Sequence, residues 1–172
     1  MIKLTRKLSG KILDIGGGGE GIIGRLYGAS VTAIDNCPEE LDEAPQGFNK
    51  ILMDATDMTF PDSSFDNATF FFALMYMSSD EQKQSISEAA RVLKSGGEIH
   101  IWDVDIVSAY PEPFLVSVKV ALPEETILTT YGIKKIDVQS EDSIIRMCKD
   151  ARLTLEKKEN TSEGFYLIFK KP

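Results

Sequence analysis

Short apolar runs that end in Gly or Asp alternate along this chain with longer amphipathic stretches. Lys11 to Ile15 reads as a compact buried strand that runs into glycines, Ile22 to Tyr27 as a helical segment, and Ser30 to Asp35 as a second strand. Pro38 to Leu41, with Glu39 and Glu40, suits a helix first turn, where proline is tolerated and acids are favoured. Lys50 to Asp54 is a short third strand. Phe65 to Leu74, almost wholly apolar and aromatic, has the composition of a central parallel strand. A helix opens at Ser79, carries Ile86, Ala89, Ala90 and Leu93 at helical spacing, and stops at Gly96-Gly97. Glu98 to Val104 is the fifth strand. Strands alternating with helices imply βαβ crossovers, hence an α/β fold on a mainly parallel sheet.

Residues 105–139 break the rhythm. Pro111 and Pro113 exclude a continuous helix, and Phe114 to Leu122 alternates with period 2, placing Phe114, Val116, Val118, Val120 and Leu122 on one face. After Pro123-Glu124-Glu125 the segment Thr126 to Tyr131 is strand-like again, so a β-hairpin is expected as an insertion after the fifth strand. Its apolar stripe fits a lid or a homodimer surface formed by residues 114–131. Ser140 then caps a helix with Ile144, Ile145, Cys148 and Leu153 as its stripe. Thr154 to Glu159 and Gly164 to Lys170 form a terminal antiparallel pair. Residues 1–172 are read as one domain, with 105–139 inserted in it.

Composition narrows the classes. A chain of 172 residues buries roughly 70% of its unfolded surface without help from metals or disulfides. Net charge is −8, and neither half carries a positive surplus: residues 1–80 have 6 basic and 12 acidic side chains, residues 81–172 have 13 and 15. Nucleic acid is therefore not an expected partner. Cys37 and Cys148 lie far apart and His100 is the only histidine, so no metal site is expected. The N-terminal stretch has charge but no apolar h-region, and the longest apolar run, Ala68 to Met77, is too short for a membrane span. A cytoplasmic location is expected. Lys3, Arg6, Lys7 and Lys11 read as a solvated basic terminus rather than a docking site.

The chemistry concentrates between Asp14 and Gly21. Gly16, Gly18 and Gly21 form a literal GxGxxG between a strand and a helix, where glycines let a ligand approach the backbone and helix N–H groups point outward. Asp35 ends the next strand, 19 residues after Gly16. A carboxylate there accepts from two ribose hydroxyls, so the pair of features calls for an adenosine ligand. Asp14 separates the candidates: its carboxylate opposes a dinucleotide pyrophosphate and complements the ammonium of a methionine moiety. A nicotinamide-dependent oxidoreductase is disfavoured on that ground and by the lack of a Tyr-x-x-x-Lys pair.

Ile12-Leu-Asp-Ile-Gly-Gly-Gly-Gly19, Asp35, Asp54-Ala55, Phe60-Pro-Asp-Ser-Ser-Phe-Asp66 and Arg91-Val-Leu-Lys-Ser-Gly-Gly97 resemble, in order, the motifs of class I S-adenosylmethionine (SAM)-dependent methyltransferases. The likeness is greatest to the small-molecule branch that includes quinone-biosynthesis enzymes, and it spans about residues 10–104. It implies a Rossmann-like seven-stranded sheet with helices on both faces and an antiparallel last strand. It also implies roles. Asp14 and the backbone of Gly16, Gly17 and Gly18 hold the methionine end. Asp35 takes the ribose hydroxyls, with Asn36 and Cys37 beside it. Asp54 and the Ala55 N–H meet the adenine, and Phe70 or Phe71 presents backbone near the methionine amino group. Phe72, Met75 and Tyr76 face the sulfonium. Two departures stand out: the family's third glycine falls at Glu20, with Gly21 one place late, and an apolar Phe replaces the usual Ser or Asn after the fourth strand.

The expected function is methyl transfer from SAM to a small or medium-sized acceptor by in-line displacement, with alignment as the main device. The alternative is a SAM-binding subunit of the same fold that lacks turnover or depends on a partner. No base for the acceptor stands out; Tyr76, Asp103 and Asp105 are the candidates. His100, between Ile99 and Ile101, reads as a packed sheet-face histidine, with Trp102 on the same face.

Overall fold

The computed structural model describes residues 1–4, 8–107, 110–135 and 137–172. Arg6 and Lys7 of the basic terminus lie outside them. In chain order the elements are β1 (Ile2–Lys3), β2 (Ile12–Ile15), α1 (Ile22–Tyr27), β3 (Val31–Asp35), α2 (Pro38–Glu43), β4 (Asn49–Leu52), β5 (Phe65–Phe71), α3 (Ser79–Val92), β6 (Leu93–Asp103), β7 (Phe114–Ala121), β8 (Thr126–Ile133), α4 (Glu141–Asp150), β9 (Thr154–Thr161) and β10 (Gly164–Lys170). Seven strands form one sheet in the order β4-β3-β2-β5-β6-β10-β9. The pairs from β4 to β6 are parallel, and β10 runs antiparallel to both β6 and β9.

Period-2 alternation sends the strand side chains to two cores. Leu13, Ile15, Ile34, Phe70, Ile99, Ile101 and Leu167 face one side, where they meet Ile86 and Ala89 of α3 and Ile144 and Cys148 of α4. Ile12, Ala33, Phe71 and Trp102 face the other, with Ile22 and Ile23 of α1. Both long helices begin with reciprocal caps: Ser78 with Glu81 for α3, and Ser140 with Ser143 for α4, each sparing otherwise orphaned N–H groups.

The hairpin β7–β8 stands outside the large sheet and forms a second sheet with β1, in which Ile2 and Lys3 run parallel to Val120 and Ala121. Its apolar stripe has a physical destination in this chain: Val118 and Val120 are fully buried in the second core. The stripe therefore covers the domain's own sheet, and Leu115 and Leu128 are what the hairpin leaves exposed. A mutual backbone bridge between Ile106 and Gln139 closes its base.

Three boundaries differ from the sequence reading. Two residues are too few for a pattern, so β1 has no sequence signature. The fourth strand of the sequence reading, β5, ends at Phe71 because Phe72 adopts φ 52°, and Leu74–Tyr76 is a 3-10 turn. Gly96-Gly97 does not separate helix from strand: α3 ends at Val92 and β6 already begins at Leu93.

Candidate functional site

The parallel strands β2, β3, β4 and β5 end on one edge of the sheet, where an open α/β fold places its ligands. A cavity of about 700 Å³ lies there, within the size range of small-molecule sites. Asp14, Gly16, Gly17, Gly18, Asp35, Asn36, Asp54, Ala55 and Phe71 all line it. Residues from the ends of four strands thus share a single wall.

The glycine loop is tightly drawn. Gly16 and Gly17 both donate N–H to the Ile34 carbonyl, at 2.8 and 3.1 Å, which ties the loop to β3. Gly16 sits at φ 71°, and a Cβ there would lie 2.6 Å from Ala73 Cβ, so both conformation and space require glycine. Gly21, at φ 55°, opens α1. Glu20, at the position of the family's third glycine, lines the cavity and accepts a hydrogen bond from the Thr129 hydroxyl of β8. The departure in the motif is thus the point where loop and hairpin meet.

Asp14 is almost completely buried and accepts from the Thr69 hydroxyl at 2.7 Å. Burial raises its carboxyl to about 7, opposed by the Thr69 hydrogen bond and reinforced by nearby Asp35. Asp35 is oriented by two backbone donors, Cys37 N–H at 3.0 Å and Gly18 N–H at 3.3 Å. Each of its oxygens retains acceptor capacity toward the cavity. Asp54 accepts from the Thr56 N–H and hydroxyl, which hold its carboxyl below the usual range. The connection that carries Asp54 and Ala55 has no helix; Arg91 holds it by donating to the Met58 and Phe60 carbonyls at 2.8 Å while gripping Glu88 and Asp62.

The other end of the cavity is aromatic. Phe72 stacks on Tyr131 of β8, centroids 4.9 Å apart and rings 12° from parallel. Tyr76 lines the mouth, and its hydroxyl accepts the Gly132 N–H at 3.3 Å. Burial, then nearby acids, push both phenols up, so they stay protonated.

Several expected residues lie elsewhere. Phe70 and Met75 are fully buried in opposite cores and do not line the cavity. Asp103 is also buried, accepting from Met75 N–H, Val104 N–H and Gln139 Nε2; burial raises its carboxyl to about 6. It anchors the Leu74–Tyr76 turn and the hairpin's return. Asp105 accepts from Glu141 N–H at the start of α4. Both are structural acceptors at some remove from the cavity, which leaves Tyr76 alone of the three candidates on its wall. His100 is packed on the sheet face, Nδ1 2.8 Å from the Tyr166 hydroxyl and Nε2 3.2 Å from Glu98. Sequence reasoning missed Glu20, Glu40 and Tyr131 as lining residues. Glu40 had a faint signal, lying in the first turn of the helix that follows Asp35; Tyr131 had none, because only the folded hairpin brings it there.

A family model described as "Methyltransferase domain" matches residues 13–101, 89 of the chain's 172 residues. An O-methyltransferase from Penicillium expansum is 27% identical over 175 residues, covering 86% of this chain and 61% of that protein. A phosphatidylethanolamine N-methyltransferase from Cereibacter sphaeroides is 32% identical over 103 residues, 54% of this chain and 49% of that one. The chain spans between 46% and 61% of the length of the curated relatives it matches. A SAM-dependent methyltransferase from Methanosarcina mazei shares the fold, with a TM-score of 0.63 over 95% of this chain and 94% of that one, at 22% identity. With that match over more than half its length, and the glycine loop and acidic strand ends gathered on one cavity, the chain belongs to the methyltransferase-domain family, the class I SAM-dependent methyltransferases.

Proposed function

We propose that this chain transfers a methyl group from SAM to a small or medium-sized acceptor. The observation that carries the reading is the convergence of Asp14, the glycine loop, Asp35, Asp54 and Ala55 on one 700 Å³ cavity. The donor set fits the cofactor chemically. Asp14 offers a buried carboxylate to an ammonium, Asp35 an oriented carboxylate to a ribose diol, and Asp54 an acceptor to an adenine amino group. Gly17 leaves room where a Cβ would come within 2.5 Å of Asp14. When bound, SAM supplies an electrophilic methyl on a sulfonium.

The chain's own part is alignment and exclusion of water. Phe71, Phe72 and Tyr131 wall the cavity at its apolar end. Tyr76 and Tyr131 keep their protons and orient an acceptor by donating to it. Asp103 is committed to three N–H donors away from the cavity. An acceptor already nucleophilic at the working pH needs no base from the chain. No helix among the described residues is long and apolar enough to cross a membrane.

Calorimetric titration with SAM, S-adenosylhomocysteine and NADH side by side tests the reading. Micromolar binding of both adenosyl ligands and none of NADH is expected, and opens an acceptor screen. Absence of all binding would reduce the glycine loop to a structural turn.

A further inference from the structure

Four strands form the edges of the two sheets: β4 and β9 in the large one, β1 and β8 in the small one. An open edge offers a row of N–H and C=O groups to any other chain, and natural domains blunt it with shortness, charge, proline or a bulge. Three of these edges are blunted in that way. β1 has two residues and β4 has four, one of them Lys50. β9 carries Glu156, Lys157, Lys158 and Glu159 and shifts register against β10. β8 has none of these devices. Its eight residues, Thr126-Ile-Leu-Thr-Thr-Tyr-Gly-Ile133, hold no charge and no proline, keep an unbroken register with β7, and are mostly β-branched or aromatic.

The hydrogen bond from the Gly132 N–H to the Tyr76 hydroxyl fixes which groups of this edge point outward. That N–H is turned away from β7, and in an antiparallel pair the direction alternates along the strand. Thr126, Leu128 and Thr130 therefore also send N–H and C=O away from β7, where no other strand among the described residues meets them. Tyr76 closes the row at Gly132. The turn in which the Leu122 N–H donates to the Glu125 carbonyl closes it before Thr126. The open row is thus three positions long and symmetric about Leu128, whose side chain is 76% exposed.

We propose that β8 is the interface of a homodimer, in which two copies pair edge to edge, antiparallel, about a two-fold axis at Leu128. A closed two-fold contact needs a surface complementary to itself, and this row is one. Leu128 meets Leu128 of the second copy and Thr130 meets Thr126, so every open N–H finds a C=O. The two small sheets become one sheet of six strands, and the exposed Leu128 side chains cover each other. Charge agrees with this pairing. Glu124 and Glu125 precede the strand and Lys134 follows it, so antiparallel pairing lays the acidic end of one copy toward the basic end of the other. An unrelated extended peptide would match the backbone groups without mirroring this symmetry or this order of charges. The apolar stripe of the hairpin is buried in the chain's own second core, which makes the edge, and not the face, the contact. The pairing also reaches the site: Thr130 lines the cavity, so Thr126 of the second copy stands at its rim.

Sedimentation equilibrium of the intact chain tests the proposal, and a monomer–dimer equilibrium at micromolar concentration is expected. Thr130→Pro removes an outward N–H and leaves the ladder to β7 whole, as proline does on an edge strand. It should raise the dimer dissociation constant at least about tenfold, since two hydrogen bonds between the copies are lost. Register is read separately. Leu128→Cys should be joined to its own kind by a short bifunctional thiol reagent, the two Cα atoms standing ~5.5 Å apart. Thr126→Cys and Thr130→Cys should each stay unlinked alone, with like residues about 14 Å apart, and should link when mixed. The parent chain, with Cys37 and Cys148, is the control. A monomer at every concentration overturns the proposal and leaves the edge to an extended segment of another protein. A dimer in which Leu128→Cys fails to link overturns it as well. Neither result touches the methyl-donor reading of the cavity, which titration with the adenosyl ligands tests by itself.

Discussion

Asp14 shows how a buried carboxylate costs stability. Burial raises its carboxyl from the ordinary 3.8 to about 7, so between those values the folded chain binds a proton that the unfolded chain has released. Stability contributed by this residue therefore falls as pH rises from about 4 through 7, and the loss is complete above that. Asp103, raised to about 6, acts in the same direction over a narrower window. Asp14→Asn keeps an acceptor for the Thr69 hydroxyl and cannot ionise. The ligand-free variant should melt at least about 3 °C higher than the parent at pH ~8, measured by circular dichroism. Its SAM affinity should drop at least tenfold, roughly the loss of a charge-assisted hydrogen bond. In the parent, SAM affinity should weaken as pH falls below about 7, because the ammonium needs an ionised partner. Asp35→Ala should cost about 1.5–3 kcal/mol of SAM binding, read by calorimetry; unchanged affinity would remove Asp35 from the ribose site. These residues were legible in the sequence because each sits at a fixed offset from a strand end. Met75 was misplaced because its role came from the family resemblance alone: the Leu74–Tyr76 turn buries it in the second core beside Phe71 and Phe72.

Among the elements, the connection from β4 to β5 depends most on one side chain. Residues 53–64 carry Asp54 and Ala55 without a helix, and Arg91 of α3 donates to the carbonyls of Met58 and Phe60, while Glu88 accepts the Met58 N–H at 2.9 Å. Arg91→Ala leaves those carbonyls without their charged donor. About 1–3 kcal/mol of stability should be lost, and the Kd for SAM should rise because Asp54 is no longer held against the cavity; urea unfolding and calorimetry on the same preparation separate the two effects. The Arg91-Val-Leu-Lys-Ser-Gly-Gly97 motif was visible in the sequence, but its mechanical purpose was not, since the partners are backbone carbonyls some thirty residues away. The hairpin was legible from its period-2 pattern for the same reason that the sheet strands were. Its destination was not, because alternation says which residues share a face and not what that face meets.

At the scale of the whole molecule, the cavity lies where two cores join. The first lies between the large sheet and α3 and α4, with Met58 of the β4–β5 connection and Leu74 packed into it. The second holds Ile12, Ala33, Phe71 and Trp102 on one side and Val118 and Val120 of the hairpin on the other, with β1 laid along β7. A removable lid would leave the domain's stability unchanged when cut away. Here the same hairpin that places Tyr131 over Phe72 also buries part of the second core, so it belongs to the scaffold. Replacing residues 107–138 with a short Gly-Ser linker is geometrically mild, because Ile106 and Gln139 are already paired. It would nonetheless open the second core, to which Val118 and Val120 belong with Trp102 and Val104. The expected outcome is loss of the cooperative thermal transition, together with loss of the SAM-induced rise in Tm. In the intact chain, SAM at a hundred times its Kd should add about 2.7 kcal/mol, or about 5–11 °C for a domain of this size. A truncated chain that melts cooperatively at the parent's temperature and still gains that increment would show the hairpin to be dispensable, and would move the second core's stability onto α1 and the large sheet alone.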